Sequence, residues 1–195
     1  MVIAIDYDGT IGDTNREKVR WIAANLGKTV SPWECDMTHC VPIIGREAYR
    51  QLGDTVYERE GTLRAAAVPG ALAALGRLSR QARLYVLTAR PERRLAYARE
   101  WLEQHGVLSC FAGLVTSHGS AKAAVCSAIG ADVLVDDDVR HLLQVDTAHL
   151  CRILLQDGRQ DAPDYGPEVR FCRSWPDVVQ CIENSHRNES LEERP

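Results

Sequence analysis

No stretch of the 195 residues approaches the roughly 18–20 consecutive apolar positions that a bilayer-spanning helix needs, so no membrane segment is expected. An excess of positive charge is also missing. Lys+Arg is 23 against 27 Asp+Glu, a formal charge of −4. That balance counts against a general nucleic-acid binder, although it leaves room for a local basic patch at a phosphate site. The seven cysteines contain no CxxC pair, are odd in number and are scattered. This pattern disfavours a disulfide framework, and reduced thiols in a cytoplasmic protein are expected. The six histidines show no zinc-ligand spacing. The first residues lack a basic segment and reach two acids by Asp8, so a signal peptide is not expected. Internal repeats and low-complexity segments are absent as well.

What is present is an alternation of short apolar runs and amphipathic stretches. Val2-Ile3-Ala4-Ile5 is apolar, rich in β-branched residues and followed by acids, and it reads as a buried strand. Further strands are expected at 84–87, 111–115, 133–135, 152–155 and 169–171. Between them, helices are expected over 15–26 (Val19, Ile22, Ala23 and Leu26 inward), from Ala71, from Pro91 to about His105, and over 121–129 (Ala121, Ala124, Val125 and Ala128 inward). A last helix should run from Trp175 to Glu183, with 187–195 a flexible tail. Strands alternating with helices mean an α/β fold with a parallel sheet covered on both faces. About 75 residues separate the first two strands, far more than a crossover needs. The excess, residues 16–68, reads as a small helical cap inserted after the first strand, leaving 1–15 and 69–186 as the core.

The informative polar residues stand at strand ends, where open α/β sheets bind ligands. The first strand leads into Asp6-Tyr7-Asp8-Gly9-Thr10, the second into Thr88-Ala89-Arg90 and the fourth into Asp136-Asp137-Asp138. Lys122 stands in the first turn of a helix between them. In a parallel sheet all of these converge on one rim. Asp6, Asp8, Asp136 and Asp137 together make an all-oxygen acidic cluster that suits a hard cation, with Mg²⁺ the expected one. A cation plus Lys122 turns that rim into an anion site, Thr88 adds a hydroxyl, and Gly9 lets backbone approach a phosphate. The expectation is a Mg²⁺-dependent phosphate site with a carboxylate able to act as nucleophile.

These residues resemble the haloacid dehalogenase superfamily of phosphohydrolases. The resemblance rests on VIAIDYDGT (2–10), LYVLTAR (84–90), Lys122 and VLVDDD (133–138), in the family's order. It implies a Rossmann-like three-layer α/β core. It also implies that Asp6 attacks phosphorus to give an aspartyl-phosphate, and that Asp8 protonates the leaving oxygen and then activates water. Mg²⁺ would be held by Asp6, the Asp8 main-chain carbonyl and Asp136, with Asp137 close by. Thr88 and Lys122 would hold the phosphoryl oxygens, and Gly9, Thr10, Ala89 and Arg90 would line the substrate side. The acid at position 8 favours phosphoester chemistry, since the dehalogenating and phosphonate-cleaving members lack one there. The size and place of the insertion are similar to those of the 5′(3′)-deoxyribonucleotidases.

Two groups bear on the substrate. Arg90, Arg93 and Arg94 are either a solvated face or a clamp on a second phosphate or a nucleic-acid backbone. Trp33, Arg46, Tyr49, Arg50 and Tyr57 are either the cap's own small core or a nucleobase-stacking surface, and Arg46 is the candidate substrate contact. The expected partner is a small phosphorylated metabolite, with nucleotides included. Alternatives are a nucleic-acid 3′-end phosphatase, favoured by the arginines and disfavoured by the acidic balance, a phosphomutase, and a non-catalytic phosphate-binding module. The oligomeric state leaves no trace in the sequence.

Overall fold

The computed structural model describes residues 1–144 and 149–192, with side chains to Asn184. Six strands form one parallel sheet: β1 (Val2–Ile5), β2 (Arg83–Thr88), β3 (Phe111–Thr116), β4 (Val133–Asp136), β5 (Cys151–Leu155) and β6 (Val169–Cys172). Their order is β3-β2-β1-β4-β5-β6. The chain runs outward from β1 to β3 on one side and from β4 to β6 on the other. The order therefore reverses between β1 and β4, where such sheets open a crevice beyond the strand ends.

The pleat of β1 separates two cores. Ile3 and Ile5 join the larger cluster, beneath α5 (Ala71–Leu78), α6 (Glu92–Gln104) and α9 (Trp175–Glu192), while Ala4 faces the smaller one with α7 (Lys122–Ile129) and α8 (Val139–Leu143). Sheet and helices thus make three layers, as the alternation of elements implied. α9 continues through Glu192, past the expected helix end at Glu183, while 193–195 lie outside the described residues. No glycine or proline follows Pro176 until Pro195, so nothing in the sequence breaks the helix earlier. Among the described residues no helix is long and apolar enough to cross a membrane.

Between β1 and β2 the chain makes α1 (Thr14–Leu26), α2 (Met37–Ile44), α3 (Arg46–Val56) and α4 (Arg59–Arg64), with a short 3-10 turn at Pro32–Glu34. These helices have a hydrophobic cluster of their own, built on Ile22, Val30, Cys35, Cys40, Leu52 and Val56. The two ends of the excursion meet. Asp13 N–H donates to Ala66 O at 2.8 Å and Val68 N–H to Ile11 O at 2.9 Å. Two fully buried indoles of the core fix the same junction: Trp101 donates to Ala65 O (2.7 Å) and Trp175 to Thr10 O (2.9 Å). Each indole satisfies its one donor while burying a large apolar body, so the insertion leaves and rejoins the core at one clamped point.

Two helices differ from their apolar pattern. In α1 the buried positions are Thr14, Asn15, Glu17, Lys18 and Ile22, while Ala23 is exposed. In α7 they are Lys122 and Cys126, while Ala121, Ala124 and Ala128 are exposed. In both cases a lysine near the helix start is turned inward, and both lysines belong to the site described next.

Candidate active site

A cleft of about 340 Å³ opens at the carboxyl ends of β1, β2 and β4, with Asp6, Asp8, Thr88, Ala89, Arg90 and Asp137 in its wall. Asp6 directly follows β1, and its N–H donates to Val135 O at 2.8 Å, which fixes it against β4. Asp136 ends β4 and is fully buried. Lys122, at the start of α7, reaches between them, with Nζ 2.5 Å from Asp6 Oδ1 and 2.6 Å from Asp136 Oδ2. Asp136 also accepts from the Asp138 N–H (3.0 Å) and faces His141 Nδ1 at 3.2 Å.

The charges act on one another strongly. Burial pushes Asp6 up to about 7, Lys122 pulls against this, and the neighbouring charges of Asp136 and Asp8 add to the rise. Burial acts on Asp136 too, but Lys122 and His141 outweigh it and hold it down at about 2. Burial also opposes the charge on Lys122, yet Asp136 and Asp6 keep its pKa above the ordinary lysine value. Asp137 lies far above the usual carboxylate range because it is buried beside Asp6 and Asp136. Carboxylate oxygens of Asp6, Asp136 and Asp137 all lie within 4.8 Å of one another. Three hard anionic donors converging in this way fit Mg²⁺ better than a soft metal.

Asp8 has a different environment. Arg90 grips both of its oxygens, Nε to Oδ2 and Nη2 to Oδ1, each at 2.8 Å. Burial would raise Asp8, but the guanidinium more than offsets it and keeps the carboxyl below its usual range. Arg90 also donates to Thr62 Oγ1 in α4 (2.8 Å) and stacks over Tyr7 and Tyr57, at 4.9 and 5.3 Å from the ring centroids. The fork geometry is what suits Arg to this bidentate role.

Several sequence expectations place differently. Gly9 does not offer its amide to the cleft, because its N–H donates to Gly12 O at 2.8 Å. Its φ is +74°, and a Cβ there would stand 2.2 Å from Asp137 Oδ2 and 2.3 Å from Asn15 Nδ2. Glycine is needed so that these two side chains can meet behind the loop. The Thr10 side chain is buried away from the cleft, with its carbonyl held by Trp175. Arg46 is exposed at the first position of α3 and outside the cleft wall, pointing to solvent at a helix start, and Tyr49 from the same helix lines the cleft instead. Trp33 lines a separate, smaller pocket, and the Arg159 guanidinium lies 5.7 Å from its ring centroid. Arg93 and Arg94 are both paired with Glu58, and Arg94 also with Asp54.

The sequence reading missed Asn15, Lys18, Arg140 and His141. Asn15 Nδ2 donates to Asp137 Oδ2 (2.5 Å) and Oδ1 accepts from Lys18 Nζ (2.8 Å), so α1 is wired to the acidic cluster. The signal was their i, i+3 spacing on the helix that directly follows the DxDGT loop. Arg140 joins Asp138, and Asp36 of the insertion at 3.9 Å.

A parallel sheet with a lysine-bridged acid cluster at its reversal point, facing a helical insertion, defines a phosphatase of the haloacid dehalogenase fold. The chain belongs to the family described as 5′ nucleotidase, deoxy (pyrimidine), cytosolic type C, whose model matches residues 1–186. Among solved structures it is similar to a haloacid dehalogenase-like hydrolase from Streptococcus pneumoniae, with TM-score 0.62, 16% identity, and 93% of this chain and 97% of that one covered. A predicted phosphoglycolate phosphatase from Haemophilus somnus gives the same figures, TM-score 0.62 and 16% identity over 93% and 97%. A superfamily hydrolase from Ehrlichia chaffeensis matches at TM-score 0.59 and 13% identity over 94% and 96%. At these identities the likeness is one of fold. No curated protein sequence shows significant similarity to the chain.

Proposed function

We propose that the chain is a Mg²⁺-dependent phosphomonoesterase that works through an aspartyl-phosphate on Asp6 and takes a small phosphorylated metabolite of the nucleotide class. The observation that carries this reading is Lys122 bridging Asp6 and Asp136 within 2.6 Å at the base of the cleft. The family match supports the nucleotide class. Asp6, Asp136 and Asp137 would hold Mg²⁺, with the Asp8 main-chain carbonyl as a further ligand. When bound, the ion screens the charge between nucleophile and phosphoryl group.

The chain's own groups divide the remaining work. A carboxylate oxygen of Asp6 bonds to phosphorus as the ester bond breaks. Thr88 and Lys122 hold equatorial oxygens, where charge is spread in the transition state. Asp8 gives a proton to the leaving oxygen, and then takes one from the water that cleaves the acyl phosphate. The Arg90 fork favours ionised Asp8, the form needed in the second half. In the first half Asp8 must be protonated, so Arg90 has to loosen its hold as substrate enters.

The 3′-end phosphatase reading draws no support from the arginine cluster, because Arg90, Arg93 and Arg94 are all engaged by carboxylates of this chain. The test is a panel of nucleoside monophosphates and other phosphomonoesters with the Mg²⁺-loaded protein. Turnover should vanish with EDTA, return with Mg²⁺, and be absent in Asp6→Asn. Full activity in EDTA, or near-normal turnover by Asp6→Asn, would overturn the reading.

A further inference from the structure

Lys18 is a buried cation of the cleft that the steps above do not use. It projects from α1 with 6% of its surface exposed and lines the cleft beside Tyr57. Its Nζ donates to the Asn15 amide oxygen at 2.8 Å and lies 5.5 Å from the Tyr57 ring centroid. Both of these partners are neutral. The other basic side chains of the site are each matched by a carboxylate: Lys122 by Asp6 and Asp136, Arg90 by Asp8, Arg94 by Glu58, and Arg140 by Asp138. Among the described residues no carboxylate is in ion-pair contact with Lys18. Asp137 and Asp8 act on its charge from beyond that distance, and both carboxylates are already engaged, one in the three-acid cluster and the other by Arg90.

Burying an ammonium against neutral partners carries a large desolvation penalty, and such a group persists where something else supplies the countercharge. The cleft is in the size range of small-molecule pockets, so it has room for more than a phosphoryl group. The groups that would hold the phosphoryl come from core strand ends and α7, whereas Lys18 comes from the insertion. It therefore meets a ligand from the insertion side of the cleft.

We infer that Lys18, backed by Asn15 and Tyr57, forms a subsite for a second anionic group, carboxylate or phosphoryl, carried on the leaving-alcohol side of the substrate. The inference rests on the phosphomonoesterase reading and narrows its substrate class. Such a group would replace the missing ion pair of Lys18 and orient the ester for attack by Asp6.

Calorimetric titration of the full Mg²⁺-loaded chain with three phosphonates tests this without turnover. These are 3-phosphonopropionate, propane-1,3-diphosphonate and propylphosphonate, alike but for a carboxylate, a phosphoryl or a methyl at the tail. At least one anionic tail should bind about 10–100-fold tighter than the methyl tail, as expected for a charge-assisted contact. The tighter of the two identifies the natural tail. Lys18→Met should erase the preference, bringing the three affinities together, and Lys18→Arg should restore part of it. Equal affinity of all three for the unaltered chain would overturn the subsite, and that comparison needs no variant to fold. Equal weakening of all three by Lys18→Met would overturn it too. Hydrolysis of p-nitrophenyl phosphate by the same sample separates the two claims. Hydrolysis without a tail preference removes the subsite alone, and a tail preference without hydrolysis removes the phosphomonoesterase reading alone.

Discussion

At the sheet rim Lys122 sits within 2.6 Å of two carboxylates, whereas in the insertion Lys18 is buried against an amide and a phenol ring. Both lysines stand near the start of a helix and are turned inward. The rim brings one cation of its own before any ligand arrives, and that cation fixes the geometry of the nucleophile. The insertion leaves a charge for the ligand to match. On the proposed reading, chemistry belongs to the first region and choice of substrate to the second. Arg90 links them, since one guanidinium holds Asp8 of the core and Thr62 of the insertion.

The sharpest way to break that contrast is to remove the rim lysine. Lys122→Met takes away a donor aimed at developing phosphoryl charge, so kcat should fall about 10²–10³-fold. The loss should be the same factor for every phosphomonoester, measured by steady-state kinetics across a panel. A loss that depends on the tail of the substrate would mean that Lys122 selects as well as catalyses, and the division between the two lysines would fail.

A smaller effect is expected from pH. Burial pushes Asp6 up to about 7, well above the ordinary carboxyl value of about 3.9 in an unfolded chain. Between these values the folded protein holds a proton that the unfolded chain has released. The contribution of Asp6 to stability therefore falls as pH rises through that window. A bound cation must displace the same proton, so Mg²⁺ affinity should climb over the window. Thermal melting should show a larger Mg²⁺-induced rise at pH 8 than at pH 5.5. An equal or larger rise at pH 5.5 would show that the acid cluster is already ionised there.

The two regions also differed in how far the sequence revealed them. The rim was legible because each acid directly follows an apolar run: Asp6 after Val2–Ile5, Asp136 at the end of VLVD. Strand type, parallel order and the clustering of carboxyls followed from that local signal. The insertion was not legible to the same degree. Its helices α2 to α4 are only 6 to 11 residues long, too short for the apolar pattern to fix which way each side chain points. Arg46 was therefore placed at the substrate and proved exposed, while Tyr49 one turn on lines the cleft. Lys18 and Lys122 shared one obstacle, since a helix lysine ordinarily reads as solvated. Lys122 stands out because it opens a helix between two acid-ended strands, whereas Lys18 has no such marker. Gly9 was placed in the right loop for the wrong contact, because its neighbours Asn15 and Asp137 are brought to it only by the fold.

The claim on which everything else depends is that Asp6 carries the phosphoryl group and Asp8 moves the protons. Asp8→Asn keeps the main-chain carbonyl and leaves Asp6 free to attack, but it removes the base that activates water. General acid–base assistance is typically worth about 10²–10⁴-fold, so turnover of a substrate with a good leaving group should drop by that factor. The covalent intermediate should then accumulate. Rapid-quench mass spectrometry of Asp8→Asn with such a substrate should find one phosphoryl group on the peptide containing Asp6, and none in Asp6→Asn. Phosphate on any other residue, or hydrolysis by Asp8→Asn at the unaltered rate, would contradict the assignment of both aspartates.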